Sequence, residues 1–302
     1  KISVVLPASP CVELGRQETT GPRMNQHVEI SGRSDAVRQP RAVGSARVSA
    51  KLVEGRSRLS ELRQQGSAKL LFPDTAGPDL DAVLLNTAGG ITGGDCFRYS
   101  GTAEAGASLT ITTQAAERAY RAQPGSVGTA DVTLSARRGG TVHWLPQETI
   151  VFDGAAIRRR ICADIADDAE LLLVEPIILG RTAMGEIVRR ATFSDQWRLR
   201  RGGKLVYADA LRVSAEVQRS IDGPATLSGA VAFATIVLVA ARADMVLDRV
   251  RQQLPKTAGV SVIRPGVLSC RIVAEDGYAL RRKLVPVLEL LRGAPLPKVW
   301  KM

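Results

Sequence analysis

The chain has 302 residues, 45% hydrophobic and 24% charged, which excludes wholesale disorder, a collagen-like repeat and a coiled coil. Aromatic residues are only 4%, so a core must be built from Val, Leu, Ile and Ala. Lys and Arg number 41 against 30 Asp and Glu, a formal charge of +11 that raises nucleic-acid and acidic-membrane readings.

Residues 1–45 mix Pro, Gly, Ser, Arg and Gln without a sustained period, and predict a disordered or loosely attached N-terminal extension. Residues 46–302 predict a single domain. From Ala46 the hydrophobic period is close to two. Ser108–Thr113, Asp131–Ser135 and Gln196–Arg200 alternate cleanly, and Leu268, Cys270 and Ile272 share one strand face. The apolar stretches Leu171–Val174 and Ala230–Ala240 suit strands buried on both faces. Glycine and proline turn signals punctuate the runs, among them Gly77-Pro78, Pro124-Gly125 and Gly202-Gly203. Helical period comes late. Asp244 is placed to cap a helix with Val246, Val250 and Leu254 on one face, ending before Pro255. Asp276 is placed to cap a second, in which Leu280, Leu284, Leu288 and Leu291 form a stripe closed by Gly293 and weakened by Pro286. The predicted fold is mainly β: a large, largely antiparallel β-sheet protein with two α-helices near the C-terminus.

Gly229 to Ala241 is the strongest candidate for a membrane span and is too short for one. The opening stretch has no signal-peptide pattern, so a cytoplasmic protein is expected. Cys11, Cys96, Cys162 and Cys270 are far apart, which points to reduced thiols. With His27 and His143 the only histidines, a three-histidine zinc site is impossible. His143, beside Trp144 in an alternating strand, reads as a satisfied structural residue rather than a ligand. The basic clusters, such as Arg158–Arg160 and Arg281–Lys283, are short and scattered and lack an RNA-binding aromatic signature, which argues against nucleic acid.

Three segments carry candidate chemistry. In Leu84–Asp95, the pairs Gly89-Gly90 and Gly93-Gly94 precede Asp95; this is an anion-cradling nest or a glycine-built bend, and neither a P-loop nor a dinucleotide fingerprint. In Leu145–Gly154, Gln147 adjoins Glu148, and Glu148 and Asp153 bracket an apolar strand. They are a general acid–base pair or solvated acids at a strand edge. In Leu171–Glu186, Glu175 stands between apolar halves, with Arg181 as its expected partner. It is half of a structural ion pair or a group on the wall of a buried passage.

Together these segments resemble the UreD (UreH) family of urease accessory proteins. The Leu-Asn-x-x-Gly-Gly-Ile-x-Gly-Gly-Asp loop is matched by Leu85–Asp95, the Pro-Gln-Glu-Thr-Ile-x-Phe stretch by Pro146–Phe152, and the Gly-Arg-x-Ala-x-Gly-Glu segment by Gly180–Glu186. A Pro-Arg-x-Trp ending is matched by Pro297–Trp300, with Lys298 in place of Arg. The resemblance implies a cytosolic, non-enzymatic maturation factor that binds apo-urease and UreF directly and the GTPase UreG through UreF, and that delivers nickel to urease. It implies no tightly bound cofactor and transient Ni²⁺ passage, for which Asp95, Glu148, Glu175 and Glu186 are the candidates. Gly89, Gly90, Gly93, Gly94, Gln147, Asp153, Arg181 and Trp300 lie in the same motifs as candidate partner or passage residues. The rival readings are a carboxylate-dependent hydrolase using Glu148 and Asp153, and a basic nucleic-acid binder.

Overall fold

The computed structural model describes residues 39–74 and 77–301. The expected N-terminal extension falls mostly on residues 1–38, outside the described residues, as do Cys11 and His27. Val43, Gly44 and Ser45, counted with that extension above, belong to the first strand.

The chain crosses repeatedly between two sheets. A hairpin, β1 (Val43–Val53) and β2 (Arg56–Gly66), is followed by β3 (Ala68–Leu71) and β4 (Leu80–Asn86). Next come β5 (Cys96–Ala103), β6 (Ser108–Thr113), β7 (Glu117–Ala119), β8 (Gly128–Ala136) and β9 (Thr141–Leu145). Then follow β10 (Thr149–Val151), β11 (Ala156–Ile165), β12 (Glu170–Leu179), β13 (Arg190–Arg201) and β14 (Lys204–Glu216). The chain closes with α1 (Val217–Ile221), β15 (Ala232–Val239), α2 (Leu247–Gln253), β16 (Ala258–Arg264), β17 (Val267–Ala274) and α3 (Gly277–Arg292).

One sheet has seven strands in the order β14-β13-β11-β8-β5-β1-β2. The other has ten, on the path β16-β17-β15-β12-β9-β6-β4-β3, with β10 and β7 attached beside β12. The expectation of a largely antiparallel arrangement is corrected here. Pairings β1–β5–β8–β11–β13 in one sheet and β4–β6–β9–β12 in the other are all parallel; antiparallel pairs flank them at the edges. The cause is the winding. Between β5, β8, β11 and β13 the chain passes through β6–β7, β9–β10 and β12 of the other sheet, and these crossovers bring each strand back parallel to its predecessor. Period-two alternation reports the half-buried faces but not strand direction, so the sequence could not distinguish the two.

The layers explain the residue patterns. Leu109, Val142, Leu171 and Val239 are register partners on neighbouring strands and all face the core between the sheets. Leu172 and Val174 face the opposite way, into a second core beneath α2 and α3. β12 is therefore apolar on both faces, as its continuous run implied. α3 starts where Asp276 Oδ1 accepts the Ala279 N–H at 2.8 Å, and ends at Gly293 in the left-handed region (φ 74°). Its Leu280, Leu284, Leu288 and Leu291 are fully buried, each contributing roughly 1.5–3 kcal/mol. Asp244 does not cap α2: its carboxylate accepts the Gly266 N–H at 2.7 Å, and α2 opens at Val246 without a side-chain cap.

Candidate functional site, a carboxylate-lined cavity between the sheets

The ten-stranded sheet is broken at one level. β6 ends at Thr113 and β7 begins at Glu117; β9 ends at Leu145 and β10 begins at Thr149. β12 runs past the break, paired with β9 as far as Leu173 and with β10 from Ile177. Pro176 falls in the gap, where a backbone donor is dispensable on the open side. A cavity of about 190 Å³ fills this break, lined by Asn86, Glu117, Trp144, Thr149, Arg159 and Glu175 among others.

Glu175 is at the inner end, 2% exposed. Trp144 Nε1 donates to its Oε1 at 2.8 Å, and Arg159 of β11 pairs with its Oε2. The same guanidinium holds Asp195 of β13 through Nε at 3.1 Å and Nη2 at 2.6 Å, and donates to Thr149 Oγ1 at 3.2 Å. Arg181 is therefore not the partner of Glu175, contrary to the sequence expectation. The inward direction of position 175 is set by the pleat, which aims it across the sandwich at β11, whereas Arg181 follows the Gly180 turn and is exposed. Burial pushes the Glu175 carboxyl up, with Arg159 and the Trp144 N–H opposing. Beyond the ion pair is a void of about 10 Å³, room for one water, lined by Glu175, Asp195, Asp209 and Thr235 among others. At the outer end Glu117 is held by Asn86 Nδ2 at 3.1 Å and the Arg118 N–H at 2.9 Å, and burial raises its pKa. Four carboxylates thus follow one another along the cavity and the void: Glu117 and Glu175 on the first, Glu175, Asp195 and Asp209 on the second. Glu117 and Asp209 are half-buried, and Asp209 is paired with the exposed Arg271.

The remaining motif residues gather in two other places. Gln147 and Glu148 are buried under α3. Arg281 donates to Glu148 Oε1 and Oε2 at 2.9 and 3.0 Å, to Gln147 Oε1 at 3.2 Å and to the Trp300 carbonyl at 3.0 Å. Trp300, 4% exposed, donates its indole N–H to Thr112 Oγ1 at 3.1 Å and the Leu145 carbonyl at 3.2 Å. The Pro-Gln-Glu stretch is thus clasped to the C-terminal Trp.

The second gathering is at the end of the sandwich. Asp95 is buried, its Oδ1 accepting the Ala42 N–H and its Oδ2 the Thr92 N–H, each at 2.8 Å. Gly90 and Gly93 are pressed against the chain itself. A Cβ at Gly90 would lie 2.3 Å from the Tyr120 ring, and one at Gly93 2.1 Å from Ser126 Oγ. Gly94 (φ 90°) and Gly89 (φ 78°) take left-handed backbone, and Gly89 lines the cavity. Tyr120 packs edge-on against Phe152 at 5.0 Å, and Arg181 stacks over that Phe at 4.4 Å while pairing with Glu186 at 2.8 Å. Asp153 Oδ1 accepts the Arg189 and Arg190 N–H groups at 2.9 and 3.0 Å, and Arg121 pairs with Oδ2. Glu148 and Asp153 therefore have no common partner and face different surroundings.

The sequence that carries these motifs has relatives. The sequence model of the UreD urease accessory protein family matches residues 42–301. The chain belongs to the UreD family. Urease accessory protein UreD of Roseobacter denitrificans is 48% identical over 264 residues, covering 87% of this chain and 96% of that protein. UreD of Agrobacterium fabrum is 46% identical over 283 residues, covering 92% and 98%. UreD of Rhizobium leguminosarum bv. viciae is 45% identical over 270 residues, covering 88% and 98%.

Within this UreD fold, sequence reasoning found Glu175 but missed Glu117, Trp144, Arg159, Asp195 and Asp209. A signal was present for two of them. Arg159 stands between Ile157 and Ile161, and Asp195 between Phe193 and Trp197, at inward positions of alternating strands. A charge at such a position must meet a partner inside. Among the described residues, no three His, Cys, Asp or Glu side chains group as a metal-holding cluster, and no helix is long and apolar enough to cross a membrane.

Proposed function

We propose that this UreD-family chain is a cytoplasmic, non-enzymatic urease maturation factor that passes Ni²⁺ through its interior to apo-urease. It acts with UreF, which it binds directly, and with the GTPase UreG, which it meets through UreF. The carrying observation is the series Glu117, Glu175, Asp195 and Asp209, whose two middle members are buried, in a chain of a urease accessory family. Spaced single carboxylates offer oxygen donors that hold a nickel ion loosely, whereas imidazole or thiolate clusters would retain it. Asp95, Glu148 and Glu186 line neither the cavity nor the void. The route therefore runs past Glu175.

Arg159 divides the route, closing it between the larger cavity and the small void. An incoming cation competes with Arg159 for Glu175, and Asp195 retains the guanidinium when Glu175 is taken. The ion thereby finds its ligand without a bare buried charge being left behind.

Expression of the urease subunits with UreF and UreG, with and without this chain, tests the reading. Nickel-loaded urease is expected only when the chain is present. Equal nickel content in its absence would contradict the role.

A further inference from the structure

We infer that the outer face of the seven-stranded sheet is a docking surface for an acidic protein surface of the maturation assembly. The basic residues are scattered in the sequence, but the parallel register brings them side by side. Arg158 and Arg212 flank Ser194 in one row across the strands. Arg98 lies next to Asp131, and Asp131 next to Arg160, in the adjoining row. Arg63 and Arg47 face each other in a third, which reaches Arg198 through Ser100, Thr133 and Cys162. The inward partners on the same strands are core residues such as Val48, Val132 and Ile161, so this whole set points outward. Arg47, Arg63, Arg98, Arg158 and Arg212 are exposed and Arg198 half-buried. Of these six, only Arg47 has a carboxylate partner among the described residues, Glu61 at 3.7 Å.

Nothing among the described residues covers this face. α2 and α3 pack on the ten-stranded sheet, and α1 packs beside the inward Val213 of β14. Between the arginines are short side chains, Ser100, Thr102, Thr133 and Ser194, which let a partner approach the sheet closely. Seven strands at about 4.8 Å, each some 30 Å long, make a face of roughly 900 Å². One side of a standard protein interface buries about 800 Å².

The occupant is a protein rather than a nucleic acid. Sheet faces that bind nucleic acid present aromatic rings for base stacking. This face presents none among the described residues: Tyr99, Trp197 and Tyr207 all point inward. It also carries Glu61, Asp131 and Asp164, which repel a phosphate backbone but match the mixed charges of a protein surface. Arg160 holds Asp131 at 2.8 and 3.2 Å on the central strands β11 and β8.

The choice of probes rests on the maturation reading. The tagged full-length chain is co-purified with UreF and apo-urease as wild type, as the triple variant Arg98→Glu, Arg158→Glu, Arg212→Glu, and as the control Arg249→Glu on exposed α2. The triple variant is expected to melt like wild type and to retain one of the two proteins about tenfold more weakly, with wild-type retention falling as salt rises. Wild-type retention of both proteins by the triple variant overturns the docking surface and leaves the maturation reading standing. A wild-type chain that retains neither protein contradicts that reading and this proposal together. A short DNA duplex bound at about 150 mM salt by wild type and lost in the triple variant, with protein retention unchanged, assigns the face to nucleic acid and overturns the proposal.

Discussion

Arg159 of β11 and Glu175 of β12 form an ion pair across the interior, and the same guanidinium holds Asp195 in a two-point contact. One cation thus serves two buried carboxylates, and removing different members leaves different residues stranded.

Replacing Arg159 by Met should leave Glu175 and Asp195 facing each other without a countercharge, at a cost of roughly 3–5 kcal/mol. Glu175→Gln leaves Arg159 with Asp195 and leaves Trp144 an acceptor, so its cost should stay near 1 kcal/mol. Denaturant midpoints of the two variants check this ordering. Equal loss in both would show that the pair does not act as described.

The C-terminal clasp makes a second claim. Trp300→Ala removes a buried ring and the partner that Arg281 stacks upon at 5.0 Å, and should cost roughly 3–5 kcal/mol. Thermal melting should show a clear drop, and an unchanged melting temperature would place Trp300 outside the folded core.

For the glycine loop, Gly90→Ala should destabilise by about 1–3 kcal/mol, because the added methyl meets the Tyr120 ring and the Arg118 carbonyl. Gly89→Ala meets no atom within 4 Å, and its penalty should come only from left-handed backbone. A chemical denaturation series that ranks Gly89→Ala as the worse variant would refute the packing explanation.

His143 is buried beside Thr110, and burial together with Arg292 and Arg242 lowers its pKa from 6.5 to about 3. Its folded pKa is below the unfolded one, so the neutral ring stabilises the fold above pH 6.5 and this contribution is lost as pH falls towards 3. The slope in that window approaches 1.4 kcal/mol per pH unit. Urea melts of wild type and His143→Gln between pH 7 and about 5 should show a steeper loss in wild type, and parallel curves would contradict the assignment.

How much of this was legible in the sequence follows from what periodicity encodes. Alternation at Ser108–Thr113 and the leucine stripe of α3 located those elements and their buried faces, because burial alone sets both patterns. Strand direction depends on where the chain goes between strands, so the parallel centre was missed. Glu175 could be recognised as buried, but its partner lies on another sheet. Only the inward position of Arg159 within Ile157–Ile161 hinted at it. The cavity arises from two strand breaks that coincide in space, at Thr113–Glu117 and Leu145–Thr149, and no local pattern reports such a coincidence. The glycines of the loop suggested a close approach, and what approaches is the chain's own Tyr120 and Ser126.

The most direct test of the interior route is the nickel content of urease matured with Glu175→Gln in place of wild type. The variant is expected to melt close to wild type, to retain UreF and apo-urease, and to yield urease with several-fold less nickel. Urease loaded to the wild-type level by a folded and fully assembled Glu175→Gln chain would contradict passage of the ion past Glu175.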